Sequence, residues 1–222
     1  MNSDIRVNLE SVRERIARAC LRANRSPDEI TLIAVTKTVP PDVIEQAFRL
    51  GIRDFGENRV QEAEKKADFF TRLKPRPNLH MIGHLQSNKV KAALGLFDMI
   101  QSVDSLKLAE AIDRQAVSKI PVLLEVNVAG EVNKSGFSLE GIGQAVKALS
   151  ATNNIEVRGL MTVAPVVENP EQVRPIFRRL RELRDVYKLQ HLSMGMTADF
   201  EVAIEEGATM IRLGRAIFGE RL

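Results

Sequence analysis

A lysine at the end of a short apolar run is the residue most suited to chemistry in this sequence. The run occupies residues 30–36, Lys37 follows it, and Pro40 and Pro41 come next. A β-branched run bounded by prolines predicts a buried strand that stops just after Lys37. A partly desolvated amine has a lowered pKa and can attack an aldehyde to form an imine. A strand-end lysine that simply reaches into water is the alternative.

Two stretches near the C-terminus have the composition of phosphate-binding loops. Residues 193–197 read Ser-Met-Gly-Met-Thr, and residues 214–219 begin with Gly214 and Arg215. Each precedes a predicted helix, whose first N–H groups favour an anion. Ordinary turn glycines, with Thr197 as a helix cap, are the alternative.

Strand parity gives Arg212 an unusual position. It shares a face with Met210 and Gly214, so we expect its side chain to point into the interior of the sheet structure. A guanidinium there needs an acceptor, either Glu125 in an ion pair or an atom of a ligand.

The histidines do not predict a metal site. His80 and His84 share the inward parity of one predicted strand, but four residues of strand separate them by about 13 Å. One cation cannot be bound by both, and no other Cys/His/Asp cluster has the spacing of metal ligands.

Composition indicates an ordinary soluble protein. The chain has 222 residues, of which 44% are hydrophobic and 27% are charged. Cys20 is the only cysteine, so no internal disulfide is expected, and its place in an apolar helical stripe predicts a packing role. Because neither a signal peptide nor a membrane-spanning run is found, we expect a cytoplasmic protein that does not bind membranes.

The positive charge does not predict nucleic-acid binding. The net charge is +3, and acidic residues are mixed with the basic ones throughout. The densest basic block, residues 174–184, has apolar residues at helical spacing, which predicts a solvated outer helix face. No aromatic platform for bases lies within it. An acidic small molecule such as a phosphate ester fits better.

Strands and helices alternate along the chain after a leading helix at residues 4–24. The predicted strands lie at residues 30–37, 52–58, 79–84, 99–103, 121–128, 157–163, 189–195 and 210–214. Repeated βα units imply parallel strands, and eight of them imply a closed (β/α)8 barrel of one domain, residues 1–222. An open doubly wound sheet is the alternative, but no Gly-x-Gly-x-x-Gly turn follows any strand. In such a barrel the C-terminal strand ends form the site.

Several motifs in order give the chain its resemblance to a known family. They are Ala-Val-Thr-Lys at residues 34–37, Phe-Gly-Glu-Asn-Arg at 55–59, His-Met-Ile-Gly-His at 80–84, Lys-Ser-Gly-Phe at 134–137, Gly-Leu-Met-Thr at 159–162, Leu-Ser-Met-Gly-Met-Thr-Ala-Asp at 192–199 and Ile-Arg-Leu-Gly at 211–214. With these motifs the chain resembles, over nearly its full length, the pyridoxal phosphate homeostasis proteins of the YggS/PROSC type.

The resemblance implies a single-domain TIM barrel of the alanine-racemase N-terminal-domain type, with pyridoxal 5'-phosphate (PLP) at its mouth. Lys37 matches the family's Schiff-base lysine, and Arg212 matches the arginine that faces the pyridine nitrogen. The resemblance also implies phosphate-binding residues and residues that line the ring pocket. The phosphate-binding residues implied in this way are Ser193, Thr197, Gly214 and Arg215. The residues implied to line the ring pocket are Asn58 and Met81.

The resemblance further implies a protein that holds PLP and buffers or delivers it in vitamin B6 and amino-acid homeostasis. Apo-enzymes that require PLP would then be its partners, and we expect a monomer. A PLP-dependent amino-acid racemase is the alternative. Racemisation needs acid–base groups on both faces of the substrate, and Tyr187, the only tyrosine, falls near the end of a predicted outer helix. The sequence therefore favours a carrier.

Overall fold

Eight parallel strands close into a barrel. The computed structural model describes residues 4–131 and 134–219, so residues 1–3, 132–133 and 220–222 of the predicted domain lie outside the described residues. The strands follow the chain order around the barrel, from β1 to β8 and back to β1. They are β1 Thr31–Val35, β2 Asp54–Glu57, β3 Asn78–Met81, β4 Met99–Val103, β5 Ile120–Glu125, β6 Ile155–Met161, β7 His191–Ser193 and β8 Met210–Leu213. The predicted (β/α)8 barrel is confirmed.

Helices surround the barrel, one after each strand and one before the first. They are α1 Ile5–Arg22, α2 Pro41–Arg49, α3 Val60–Arg72, α4 Val90–Leu96, α5 Leu106–Gln115, α6 Ile142–Leu149, α7 Arg174–Val186, α8 Phe200–Glu205 and α9 Arg215–Phe218. Short 3-10 turns precede β1, α4 and α7, at Pro27–Glu29, Ser87–Lys89 and Pro170–Val173.

The leading helix α1 shows how the sequence pattern produces these elements. Asp4 caps it, because its carboxylate accepts the N–H of Arg6 at 2.9 Å. Its apolar stripe recurs every three or four residues and is buried, and Cys20 at the end of that stripe is fully buried, as predicted. α1 packs against α8 and α9 and so covers the segment where the barrel closes.

Apolar side chains are buried in two layers, as strand alternation requires. One face of each strand packs against the helices in a large outer cluster. The other face points into the barrel, where five side chains form a small inner cluster: Ile33, Met99, Leu123, Met161 and Met210. Polar side chains fill the rest of the interior.

The third strand is shorter than the sequence predicts. It ends at Met81, because the chain then turns across the neighbouring strand end, and a Cβ at Gly83 would lie 2.3 Å from the carbonyl oxygen of Asn58. His84 therefore lies beyond the strand, with its side chain 60% exposed and paired to Asp104 at 2.8 Å. The inward orientation predicted for His84 is wrong.

Candidate functional site

The end of β1 lies between the ends of β2 and β8. Val35 pairs with Gly56 of β2, and Ala34 pairs with Leu213 of β8. Gly214 follows β8 so closely that a Cβ there would lie 3.5 Å from Val35. Lys37, two residues beyond β1, is thus placed at the same pole of the barrel as the two loops that the sequence marks for phosphate.

Helix α3 holds the backbone on both sides of Lys37. Lys66 donates from Nζ to the carbonyl oxygen of Thr36 at 2.7 Å. The N–H of Thr38 donates to Oε2 of Glu62 at 3.3 Å. Thr38 has a φ of +63°, which is rare for a β-branched residue and needs such support. These contacts fix the direction in which the Lys37 side chain leaves the backbone.

A buried ion pair completes this support. Lys66 Nζ lies 2.8 Å from Oε1 of Glu57, and the Thr36 hydroxyl donates to the same oxygen at 2.7 Å. Glu57 is fully buried and Lys66 is 9% exposed. The sequence analysis missed Lys66, because a lysine within an ordinary amphipathic helix carries no local signal of burial.

Arg212 points into the barrel, as strand parity predicts. Its side chain is bound at two nitrogens: Nη1 donates to the Ser193 hydroxyl at 2.6 Å and Nη2 donates to the Thr162 carbonyl at 2.8 Å. Burial lowers the pKa of Arg212 to about 10, although the carboxylates of Glu125 and Asp199 act in the opposite direction. The guanidinium remains charged at neutral pH.

The side chain of Ser193 faces the barrel interior and not the loop that follows β7. Its side chain is fully buried, accepts from Arg212, and donates to Oε1 of Gln101 at 2.6 Å. Its hydroxyl proton is therefore committed to Gln101. A phosphate contact by Ser193 would require this hydrogen bond to break.

The loop after β7 is held in a shape that only glycine permits. Gly195 has a φ of +95°, and a Cβ there would lie 2.7 Å from the Cβ of Ala203. The N–H of Met196 donates to Oδ1 of Asp199 at 2.6 Å, which fixes the turn. Burial raises the pKa of Asp199, and this N–H partly offsets the effect.

Thr197 and Gly214 lie in the loops after β7 and β8, at the mouth, and Arg215 begins α9 directly after Gly214. None of these three residues is fully buried, and Arg215 is exposed. The following helices, α8 and α9, have six and four residues. Such short helices contribute little dipole, so an anion here would depend on loop N–H groups and on the Thr197 hydroxyl.

The two residues that the resemblance assigns to the ring pocket are placed differently from each other. Asn58 follows β2 at the mouth, and its Oδ1 is buried with no hydrogen-bond partner among the described residues. Met81 is 1% exposed and lies in the outer cluster against the helices. The predicted position of Met81 at the ring is a misassignment, because His80 occupies the inward position of that strand.

Glu125 closes the opposite side of the mouth, at the end of β5. Burial and the nearby Asp104 carboxylate raise its pKa, while Arg212, His84 and Lys134 act in the opposite direction. Within residues 4–131 and 134–219, no group of three or more His, Cys, Asp or Glu side chains could hold a metal ion. In the same part of the chain, no helix is both long and apolar enough to cross a membrane.

Comparisons with known proteins agree with this architecture. The alanine racemase N-terminal domain model matches residues 7–222. The pyridoxal phosphate homeostasis protein of Aquifex aeolicus is 46% identical, over 96% of each chain. That of Escherichia coli K12 is 39% identical over 99% of this chain and 97% of its own.

Solved structures show the same relationship. PipY of Synechococcus elongatus PCC7942, solved with PLP bound, superposes with a TM-score of 0.84 at 35% identity, covering 97% of this chain and 100% of PipY. Alanine racemase from Corynebacterium glutamicum, at 17% identity and a TM-score of 0.70, shares the fold over 96% of this chain and 62% of the racemase chain. The chain belongs to the pyridoxal phosphate homeostasis protein family, within the larger group that shares the alanine racemase N-terminal domain.

Proposed function

We propose that this protein binds PLP at the barrel mouth through Lys37 and acts as a PLP carrier in the cytoplasm. PLP supplies an aldehyde that joins reversibly to a lysine amine, so a bound cofactor can be stored and later released. The proposal rests on one observation: Lys37 follows β1 directly, and β1 pairs with β8, the strand that carries the buried Arg212.

The order of groups around the barrel supports this proposal. On the PLP ring, the phosphate arm, the aldehyde and the hydroxyl are attached to three consecutive carbons. Around the mouth, the glycine loops after β7 and β8 come first, then Lys37 after β1, then Asn58 after β2. The buried Oδ1 of Asn58 has no hydrogen-bond partner among the described residues, and the ring hydroxyl would lie on the side of this amide.

Arg212 fits the remaining polar atom of the ring. The pyridine nitrogen lies opposite the aldehyde-bearing carbon, so it faces the barrel interior when the aldehyde faces Lys37. A charged guanidinium there donates a hydrogen bond and disfavours a proton on the nitrogen, since two positive charges would be adjacent. An unprotonated ring is a poorer electron sink, and this favours storage over catalysis.

Lys37 is the amine best suited to this reaction. Lys66, the other lysine near the end of β1, is buried and bonded to Glu57 and to the Thr36 carbonyl. After incubation with PLP and borohydride, we expect mass spectrometry to find the pyridoxyl group on Lys37 and not on Lys66. Lys37→Ala should lose the visible absorption band of the bound cofactor. A label of equal yield in Lys37→Ala would contradict the assignment.

The racemase alternative has one structural observation in its favour. Glu125 is a half-buried carboxyl on the side of the mouth opposite β1, where a second acid–base group would be needed. Tyr187 does not fill that role, because it ends α7 at the opposite pole and packs over Gly143.

Two measurements separate the carrier from the racemase. The PLP-loaded carrier should transfer its cofactor to an apo-enzyme across a mixing experiment, and it should not exchange the Cα hydrogen of amino acids with solvent deuterium at enzymatic rates. Rapid exchange that is abolished by both Lys37→Ala and Glu125→Gln would establish the racemase.

A further inference from the structure

A chain of hydrogen bonds crosses the barrel interior from Arg212 to the opposite pole. Arg212 Nη1 donates to Ser193 Oγ at 2.6 Å, and Ser193 Oγ donates to Gln101 Oε1 at 2.6 Å. Gln101 Nε2 lies 3.0 Å from His80 Nδ1, and His80 Nε2 lies 3.0 Å from Asp54 Oδ1. Asp54 is the first residue of β2, so the chain spans the barrel from its mouth toward its base.

These side chains have little access to water. Gln101 and Ser193 are fully buried, and His80 and Arg212 are 4% and 5% exposed. Gln101 Nε2 also has the sulfurs of Met99 and Met210 at 3.8 and 3.6 Å. Water has little access to these four side chains, so each depends on its neighbours for hydrogen bonds, whereas Asp54 at the far end is 21% exposed.

Arg212 and Asp54, the two ends of this series of hydrogen bonds, determine the direction of every hydrogen bond between them. Arginine can only donate, so Ser193 accepts from Arg212 and must send its own proton to Gln101 Oε1. Gln101 then presents Nε2–H to His80, whose Nδ1 must carry a lone pair. His80 is therefore the Nε2–H tautomer and donates to the Asp54 carboxylate, which can only accept.

We propose that Asp54, His80 and Gln101 are positioning residues for Arg212. By keeping a Ser193 lone pair directed at Nη1, they hold the plane of the guanidinium in one orientation. None of the three touches the mouth loops, so they act on a ligand only through Ser193 and Arg212. Their role toward PLP rests on the proposed function, whereas their effect on the histidine tautomer does not.

The tautomer is measured without a cofactor. The chain has three histidines, so long-range ¹H–¹⁵N NMR spectra of the wild-type protein resolve each ring. We expect His80 to show a protonated Nε2 and an unprotonated Nδ1. An Nδ1–H tautomer of His80 in the wild type would refute this order of hydrogen bonds.

Cofactor binding provides the second readout. Gln101→Leu removes both hydrogen bonds of the amide, and we expect PLP to bind about tenfold more weakly, the equivalent of one hydrogen bond to a charged group. Ile33→Val, a truncation in the same barrel interior that removes no polar contact, should leave PLP affinity unchanged. Equal PLP affinities for the wild type and Gln101→Leu would overturn the positioning role. If the wild type itself failed to bind PLP, the proposed function would be rejected. The NMR result would then be the test of the hydrogen bonds between Arg212 and Asp54.

Discussion

In the proposed PLP site, the residues at the mouth would divide the contacts with the cofactor into covalent, electrostatic and neutral ones. Lys37 supplies an amine, Arg212 a buried charge, and Thr197 a hydroxyl beside loops shaped by Gly195. Since the neighbouring helices are short, the phosphate end of PLP would depend on individual hydrogen bonds rather than on helix dipoles. Single substitutions in these loops should therefore each change the affinity for PLP by a measurable and separate amount.

Thr197→Val tests the phosphate contact, because valine keeps the shape of threonine and removes the hydroxyl. Loss of one hydrogen bond to a charged group should cost about 1–2 kcal/mol, or about five- to thirtyfold in the Kd for PLP. The Kd for pyridoxal, which has no phosphate, should not change. Fluorescence titration of both proteins with both ligands measures the four affinities. A similar loss for pyridoxal would show that Thr197 acts on something other than the phosphate.

Local pattern was sufficient to predict the placement of some candidate site residues and not others. The inward orientation of Arg212 and the place of Lys37 near a strand end were predicted because strand parity and strand ends are properties of a few consecutive residues, whereas their roles toward PLP came from the resemblance and stay predictions. Met81 was misassigned, because one residue of register decides whether a strand side chain faces the barrel or the helices. The Ser193 hydrogen bonds could not be predicted, since their partners lie 92 and 19 residues away along the chain.

At the scale of elements, α3 acts as a brace for the end of β1. Its first turns carry Glu62 and Lys66, which bind the backbone just after and just before Lys37. The order of elements was predicted because each βα unit carries its own apolar periodicity. The contacts of α3 with the end of β1 were not predicted, because they depend on how a helix packs onto the strand beside it.

Lys66→Met tests the brace by removing the ammonium and keeping most of the side-chain volume. Glu57 would remain buried with only the Thr36 hydroxyl as a donor, so we expect the free energy of unfolding to fall by about 2–4 kcal/mol. The rate of PLP uptake by Lys37 should also fall, because the Thr36 carbonyl loses its anchor. Urea unfolding and stopped-flow absorbance measure the two effects.

Two variants serve as controls for this experiment. Lys65→Met alters the exposed neighbour on α3 and should change neither quantity. The double variant Lys66→Met/Glu57→Gln removes both charges, so it should recover part of the lost stability. An unchanged uptake rate in Lys66→Met would limit the pair to a structural role.

At the scale of the whole molecule, a network of ion pairs joins the last helices to the first. Glu206 accepts from Arg174 and Arg178 of α7, at 3.2 and 3.0 Å. Arg22 of α1 pairs with Glu205 at 2.6 Å, and Glu205 also pairs with Arg174. The arginine block of α7 forms the solvated outer face that the sequence predicts, with Arg178 and Arg179 each 52% exposed, and several of its arginines also pair with the end of α8.

Glu206 is the centre of this network and the best position at which to test it. Its side chain is 6% exposed, and Arg181 lies within 3.3 Å of it as a third cation. Burial alone would raise the pKa of Glu206, but the hydrogen bonds from Arg178 and Arg174 outweigh burial and lower it. A lowered folded-state pKa means that this stabilisation is complete above the unfolded-state value and is lost as pH falls through the folded-state value.

We therefore expect Glu206→Gln to reduce the free energy of unfolding by about 1–2 kcal/mol at pH 7, because three arginines lose a shared carboxylate. The difference from the wild type should be constant between pH 6 and 8 and should shrink as the pH falls below the unfolded-state glutamate pKa of about 4.3 toward the lowered folded-state value. Glu182→Gln, at a half-exposed pair with Arg179 on α7, should change stability by less than about 0.5 kcal/mol. Equal effects of the two substitutions at pH 7, measured by urea unfolding, would mean that solvent screens the network as fully as it screens an isolated surface pair.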